Sequence, residues 1–253
     1  MNDSTLLDLY DVASKHSHYQ ILPTVLDPVL PRERLSMKSR HEKARLAYIT
    51  SQFSVAGLHV ADIGGNTGFF SFELLARYAL RVDYYEGNKA HHDFVRAAAQ
   101  QLGLGRRLHT FNRYVTFAPG DLAPVDCTVL LNVLHHLGDD FGDASLNKEA
   151  AKQNILACLA ALSRTSRFLI FQLGFNWKGD RHQPLFDHGT KAELIDFVTQ
   201  GTSADWFINT IGIGEKSGET VAFKNLNRTN IARADALGEF LNRPIFLMQS
   251  KHR

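Results

Sequence analysis

A glycine-rich turn that follows a short apolar run constrains this chain more than any other feature. Residues 60–68 read Val-Ala-Asp-Ile-Gly-Gly-Asn-Thr-Gly, and a second apolar run, residues 82–86, ends in an acid. In doubly wound α/β proteins, a nucleoside-bearing ligand binds where the first parallel strands end in such turns. Gly64 and Gly68 allow a tight turn and a close approach of backbone amides. The Glu86 carboxylate can accept hydrogen bonds from both ribose hydroxyls. The pattern therefore predicts a parallel sheet that binds a nucleoside-bearing cofactor.

The order of the glycines separates two kinds of cofactor. A dinucleotide fingerprint needs G-x-G-x-x-G, whereas Asp62 is followed here by x-Gly-Gly-Asn-x-Gly. An acid two residues before the first glycine suits a cationic ligand better than a pyrophosphate. The segment resembles motif I of class I S-adenosylmethionine-dependent methyltransferases. Asn66 replaces a glycine usual in that family, and Asn tolerates left-handed backbone angles better than most residues. The resemblance implies S-adenosylmethionine as cofactor and a set of residues that bind it: Asp62, Gly64, Gly65, Asn66, Gly68 and Glu86.

The composition is that of one ordinary globular domain. A chain of 253 residues is long enough for one substantial α/β domain and too short for two. The net charge of +2 neither requires nor excludes a polyanionic partner. Cys127 and Cys158 lie in apolar runs and are predicted to be reduced core residues. We find no signal peptide and no apolar run of membrane-spanning length, so we expect a soluble cytoplasmic protein.

Alternating helical and extended patterns indicate how the chain is organised. Residues 1–54 stand apart as a predicted N-terminal helical lid, with helices at 6–13 and 37–53. Residues 55–253 are predicted to form a single domain, because strands and helices alternate there. The predicted strands cover residues 59–63, 81–85, 108–111, 127–133, 168–173, 206–213 and 243–250, with helices at 68–78, 88–101, 146–162 and 191–199. Together with motif I, this predicts the doubly wound, mostly parallel, seven-stranded sheet of class I methyltransferases.

A polar and histidine-containing segment follows the fourth strand. Residues 131–137 read Leu-Asn-Val-Leu-His-His-Leu and resemble motif IV of the same methyltransferases. The resemblance implies that Asn132 lies near the transferred methyl group and that His135 or His136 borders the acceptor pocket. Either histidine is then a candidate general base for a hydroxyl acceptor. The alternative is a helix-opening turn with two half-exposed histidines.

The acidic loop after these histidines raises the question of a metal. Histidine and aspartate can together hold a divalent ion, and residues 138–143 contain three aspartates. However, no second acidic cluster lies in a suitable place, and the pairs at 16/18 and 91/92 lack ligand-like spacing. We therefore predict a solvated acidic loop and no metal.

Two further segments carry candidate acceptor contacts. Residues 32–45 are rich in arginine and lysine, so Arg40 is predicted to meet the cofactor carboxylate and Arg45 an anionic acceptor; the alternative is a charged helix face. Tyr19 lies close enough upstream to join them. After the fifth strand, aromatic and basic residues interleave in a loop that could contact the acceptor. The alternative is that a buried tryptophan anchors this loop. The predicted acceptor contacts are Tyr19, Arg45, Trp177, Lys178 and Arg181.

A narrower resemblance suggests the acceptor. The pair Tyr19-Gln20, the Phe-Phe-Ser at 69–71 and the Arg-Pro-Ile-Phe-Leu at 243–247 are similar to two groups of methyltransferases. One group caps bacterial O-antigen polysaccharides and the other methylates RNA 5′-phosphates, so the resemblance implies a phosphate or sugar acceptor. We predict O-methylation of a glycan or phosphate-bearing small molecule, in cell-surface polysaccharide or secondary metabolism.

Other functions remain as alternatives. One is methylation of a small-molecule hydroxyl or amine with a histidine base, and another is a non-catalytic methyltransferase-like module. The glycine pattern disfavours an NAD(P)-linked oxidoreductase. A nucleic-acid partner is not expected, because the chain shows neither a clear stacking platform nor strong overall basicity.

Overall fold

The computed structural model describes residues 3–12, 14–31, 33 and 35–253 and contains one mixed sheet. Its strands are β1 (His59–Ile63), β2 (Arg81–Tyr85), β3 (Leu108–Phe111), β4 (Val125–Leu131), β5 (Ser166–Gln172), β6 (Trp206–Ser217), β7 (Thr220–Asn225) and β8 (Ile245–Ser250). They lie in the order β3-β2-β1-β4-β5-β8-β6-β7. Strands β1 to β5 are parallel, whereas β8 is antiparallel to both β5 and β6. The predicted doubly wound and mostly parallel α/β sheet is therefore present.

The described sheet has eight strands, so the expected count of seven was wrong. Strand β6 continues past Ile213 to Ser217, and Thr220 pairs with Ser217 across a two-residue turn. Gly218 in that turn has a φ of +58°, which a glycine adopts without steric cost. The long connection predicted after residue 213 thus contains a complete edge strand, β7.

The structure describes seven α-helices, and three of them begin at a residue whose side chain bonds a free backbone amide. They are α1 (Asp3–Tyr10), α2 (Glu42–Gln52), α3 (Phe69–Ala76), α4 (Lys89–Gln101), α5 (Lys148–Thr165), α6 (Lys191–Gly201) and α7 (Gly238–Asn242). Asn88 caps α4, Asn147 caps α5, and Thr190 forms a capping box with Glu193 at the start of α6.

Helix α2 begins five residues later than predicted. His41 precedes it in a left-handed conformation with φ 60°, which interrupts the helix. The buried Glu42 carboxylate accepts a hydrogen bond from the Arg40 amide at 2.9 Å. Residues 35–40 are therefore not helical. Helix α1 was predicted at residues 6–13, whereas it covers Asp3–Tyr10 and has ended before residues 11 and 12; residue 13 lies outside the described part of the chain.

The central parallel strands β1, β2 and β4 are buried on both faces, as expected for parallel strands. Helices α1 to α4 cover one face. There, the side chains of Val60 and Val82 belong to the same apolar cluster as side chains of these helices. Helices α5 and α6 cover the other face, where Ala61 and Ile63 point. The two layers leave the carboxyl edge of the sheet open between them. Among the helices that the structure describes, none combines the length and the apolar character needed to cross a bilayer.

Candidate functional site

A cleft of about 410 Å³ opens at the carboxyl ends of β1, β2 and β4. The N-terminal segment also contributes to its lining, through Lys15, His16 and Gln20. The predicted site residues that line the cleft are Tyr19, Arg40, Arg45, Asp62, Gly64, Gly65, Asn66, Glu86, Asn132, His135 and His136. The sheet topology therefore brings together residues from segments that are far apart in the sequence.

The turn after β1 is shaped by close contacts that only glycine permits. A Cβ on Gly64 would lie 2.6 Å from Val133, and one on Gly65 would lie 2.5 Å from the Tyr84 ring. Asn66 has a φ of +52°, so it adopts the left-handed conformation expected for it. Its side-chain oxygen accepts a hydrogen bond from the Thr67 amide at 2.8 Å. The backbone can therefore approach a ligand closely at this turn.

Glu86 closes the same side of the cleft from the end of β2. One carboxylate oxygen accepts from the Asn66 amide at 2.9 Å, and the other accepts from the Asn88 amide at 2.8 Å. Burial raises the pKa of Glu86, and the two amide hydrogen bonds act against that rise. Each oxygen keeps a lone pair for a further donor. We call the turn at residues 64–68 together with Glu86 the glycine-turn end of the cleft.

Asp62 is a second buried acid at the glycine-turn end. Its carboxylate is 3% exposed and accepts a hydrogen bond from the Ser71 hydroxyl at 2.7 Å. Burial raises the pKa of Asp62 to about 6, because no cation balances its charge among the described residues. A cationic ligand group in the cleft would stabilise the ionised form.

Three arginines line a second part of the cleft, which we call the arginine end: Arg40, Arg45 and Arg243. Arg243 donates to the Asn132 side-chain oxygen at 2.8 Å and to Glu239 at 2.5 Å. Asn132 in turn donates to the Gln172 side chain at 2.9 Å. This network connects the end of β4 to the segment before β8.

The arginine end has donors that are not used within the described part of the chain. The Nε atoms of all three arginines are buried and lack hydrogen-bond partners there. The Arg40 guanidinium lies between two rings, 4.7 Å from the Tyr19 centroid and 4.5 Å from the Phe240 centroid. Burial, together with repulsion from Arg243 and Arg40, lowers the pKa of Arg45 to about 10, although Glu42 opposes this. An anion in the cleft would both relieve the repulsion and use the free donors.

The two histidines after β4 are held as neutral imidazoles. His135 is 2% exposed, and its Nδ1 accepts from the Gly174 amide at 3.3 Å. Burial lowers the pKa of His135 well below its ordinary value and lowers that of His136 to about 4. Such weakly basic groups are poorly matched to general-base catalysis near neutral pH.

Four of the predicted site residues lie outside the cleft lining. Gly68 precedes α3, where its φ of +82° shapes the turn. The buried Trp177 indole donates to the Leu137 carbonyl at 2.7 Å, so it anchors its loop. Lys178 stacks on that indole at 4.5 Å, and Arg181 is exposed.

The cleft also contains residues outside the predicted set of site residues, namely Gln20, Glu239 and Phe240. Gln20 accepts from the Phe69 amide at 3.0 Å and so caps α3 from the N-terminal segment. Glu239 and Phe240 come from α7, beside Arg243. Side-chain atoms of His16, His136 and Asp140 lie close enough to share one metal ion, although no metal was predicted. The sequence analysis weighed the acidic loop as a metal site and predicted no metal, because the sequence does not show that His16 lies beside His136 and Asp140 in space.

Comparisons with known proteins support the fold. No family model matches the chain, and no curated protein matches it. A 2.2 Å crystal structure of WbdD is similar to it over 98% of the chain, with 17% identity and a TM-score of 0.59. A second structure, of the bifunctional kinase-methyltransferase WbdD, is similar over 98% with 15% identity and a TM-score of 0.56. The chain spans just under half of these WbdD chains, 47% and 46%. It thus has a fold found in methyltransferases.

Proposed function

We propose that this protein is an S-adenosylmethionine-dependent methyltransferase that methylates an oxygen of a phosphate-bearing acceptor, on a glycan or small molecule. The observation that carries the proposal is the polarity of the cleft. The glycine-turn end presents hydrogen-bond acceptors, and the arginine end presents unused cationic donors. The likeness to WbdD supports the fold, and the residues at the two ends of the cleft support the chemistry.

The glycine-turn end fits the cofactor. The free lone pairs of Glu86 are available to both ribose hydroxyls, and Asp62 would balance the positive charge of the amino-acid part. A Cβ at Gly64 or Gly65 would clash with Val133 or with the Tyr84 ring, so the two glycines let the turn pack closely at this end of the cleft. S-adenosylmethionine supplies the electrophilic methyl group when it is bound. The protein then contributes orientation and exclusion of water.

The arginine end favours an anionic acceptor over a neutral hydroxyl. A phosphate oxygen is already ionised near neutral pH, so it needs cationic clamps and no general base. Arg40, Arg45 and Arg243 offer such clamps, each with an unused Nε–H. A hydroxyl acceptor would require a base, and burial keeps the pKa of His136 at about 4. Methylation of a hydroxyl through a histidine base is therefore less well supported.

The N-terminal segment, residues 1–54, acts in this proposal as a lid. The Gln20 side chain binds the first amide of α3, and the Arg40 guanidinium stacks on the Tyr19 ring at the arginine end. Such a cover would exclude water from the reacting groups. Trp177, Lys178 and Arg181 would meet only those parts of an acceptor that extend beyond the cleft.

Calorimetric titration with S-adenosylhomocysteine tests the cofactor, with NADH as the matched control. We expect micromolar affinity for the first and no binding of the second. Paired acceptors, each sugar with and without a phosphate monoester, then test the acceptor through formation of S-adenosylhomocysteine. Turnover of the unphosphorylated member alone would contradict the phosphate proposal, and binding of NADH alone would contradict the cofactor.

A further inference from the structure

We infer that His16, His136 and Asp140 form a binding site for one divalent transition-metal ion at the edge of the cleft. His16 belongs to the N-terminal segment, whereas His136 and Asp140 belong to the loop after β4. All three residues line the cleft. The inference does not depend on methyl transfer, because it follows from the positions of three ligand atoms.

The distances between those atoms fit a metal site. The Asp140 Oδ2 atom lies 3.4 Å from His16 Nε2 and 3.4 Å from His136 Nδ1. Metal–ligand bonds of about 2.0–2.1 Å in tetrahedral geometry place neighbouring ligand atoms about 3.3 Å apart. The three ligand atoms all lie within 4.8 Å of one another. Two edges of the coordination triangle therefore already have the required length, and the third, between the two imidazole nitrogens, is no longer than 4.8 Å.

The two imidazole nitrogens form no hydrogen bond with the described residues. His16 Nε2 and His136 Nδ1 are buried and lack hydrogen-bond partners there. Buried polar atoms of this kind are usually partnered, so two in one cluster call for an explanation. Lys15 takes the other oxygen of Asp140 at 2.5 Å and also binds Asp139 at 2.6 Å. Asp140 Oδ2 is thereby left facing both rings.

The backbone holds the ligands from both sides. The His136 amide donates to the Val133 carbonyl at 2.9 Å, and the Asp140 amide donates back to the His136 carbonyl at 3.1 Å. On the other side, the His16 carbonyl accepts from the Asn66 side chain at 3.4 Å. A metal ion would therefore bind to positioned ligands and would join the N-terminal segment to the loop after β4.

The ligand set indicates the class of metal. Two imidazoles and one carboxylate suit Zn²⁺, Mn²⁺, Fe²⁺, Co²⁺ or Ni²⁺, whereas Ca²⁺ and Mg²⁺ prefer oxygen ligands alone. Three protein ligands leave at least one coordination position for water or for a ligand oxygen in the cleft.

Titration of the full chain with Co²⁺ tests the site, after removal of any histidine tag and treatment with a chelator. We expect visible absorption of bound Co²⁺ to saturate at one equivalent, and Zn²⁺ to displace it. His16→Ala, His136→Ala and Asp140→Asn should each weaken the affinity at least about tenfold. Asp139→Asn is the matched control, because Asp139 also pairs with Lys15 but approaches His136 only to 3.8 Å.

Several outcomes would overturn the inference. They are the absence of Co²⁺ and Zn²⁺ binding to the intact chain, unchanged affinity in the three ligand variants, and equal loss in Asp139→Asn. Thermal unfolding in chelator identifies variants that fail to fold, and His16→Gln and His136→Gln then replace the alanine variants. Titration with S-adenosylhomocysteine separates this inference from the proposed function. Metal binding with no binding of S-adenosylhomocysteine would support the inference and contradict the proposed function. Binding of S-adenosylhomocysteine with no metal binding would overturn the inference and leave the proposed function standing.

Discussion

The two ends of the cleft use their polar groups in opposite ways. At the glycine-turn end, Glu86 already binds the amides of Asn66 and Asn88, so the chain itself provides the partners that hold its acceptors in place. At the arginine end, buried Nε–H donors lack partners among the described residues. Buried donors without partners cost free energy, and in our proposal an anionic acceptor supplies the missing partner. One end is ordered in advance, and the other has donors that the described residues leave unbonded.

We propose that this difference sets the direction in which ligands bind. A ligand with hydroxyl and ammonium groups would meet the buried acids Asp62 and Glu86 at the glycine-turn end, and an anionic ligand would meet the unpartnered Nε–H donors at the arginine end. The comparison predicts that substitutions at the two ends affect different ligands.

The largest expected effect is on cofactor affinity in Glu86→Ala. This variant removes the partner of two backbone amides and of the ribose hydroxyls, so we expect a loss of about 100-fold, or roughly 3 kcal/mol. Titration with S-adenosylhomocysteine measures it. Glu219→Ala, at an exposed acid in the β6–β7 turn, is the control. Affinity within about threefold of the original protein would remove the distinction between the two ends.

Arg243→Lys should affect the acceptor and leave the cofactor unchanged. The planar guanidinium of arginine can bind Asn132, Glu239 and an anion at once, whereas lysine keeps the charge but lacks this geometry. We therefore expect kcat/KM for a phosphorylated acceptor to fall by about 10- to 100-fold. Steady-state kinetics measures the effect on the acceptor, and a cofactor titration measures the effect on cofactor affinity. Arg228→Lys, on the exposed connection after β7, should change neither. Equal losses at both ends would mean that Arg243 acts only through the fold.

Gly65→Ala tests whether the glycine-turn end is rigid. The new Cβ would lie 2.5 Å from the Tyr84 ring and 3.0 Å from Asp62, so we expect a loss of about 1–3 kcal/mol in the free energy of unfolding. Gly105→Ala is a matched control, because a Cβ there has nothing within 4 Å. Denaturant unfolding compares the two, and similar stabilities would show that the turn can yield.

As Asp62 ionises with rising pH, the free energy of unfolding and the cofactor affinity should change in opposite directions. Its pKa is raised to about 6 in the folded protein, so its stabilising contribution is present in acid and is lost as the pH rises through about 6. Cofactor affinity should instead increase over the same range, because the ionised carboxylate attracts the ligand ammonium. Asp62→Asn should flatten both profiles. Unfolding and titration across this pH range measure them, and a flat affinity profile in the original protein would contradict the role of Asp62.

The smallest effect is expected for Trp177→Phe. This change removes the hydrogen bond to the Leu137 carbonyl, so we expect a loss of about 1 kcal/mol in stability and little change in kinetics with small acceptors. Thermal unfolding and steady-state kinetics measure the two quantities. A large fall in turnover with unchanged stability would support the sequence-based assignment of Trp177 to acceptor stacking.

Prediction from the sequence succeeded where the signals are local. The bounds of β1, β2 and β3 match the prediction, since apolar runs flanked by polar or glycine residues indicate buried strands. The glycine turn and the acids at 62 and 86 lie next to those strands, and parallel strand ends meet at one edge. Strand β7 was missed because its burial pattern is mostly exposed, so it carries little apolar periodicity.

The remaining contacts depend on long-range pairing. Arg243 reaches Asn132 because β8 inserts beside β5, with Ile245 opposite Gln172. His16 reaches Asp140 because the N-terminal segment crosses the carboxyl edge of the sheet. By itself, the sequence determined the first three strands, the glycine turn and the acids at 62 and 86, because neighbouring residues set backbone preferences. Only the tertiary structure decided which arginines and histidines meet in the cleft, since strand register and packing bring distant segments together.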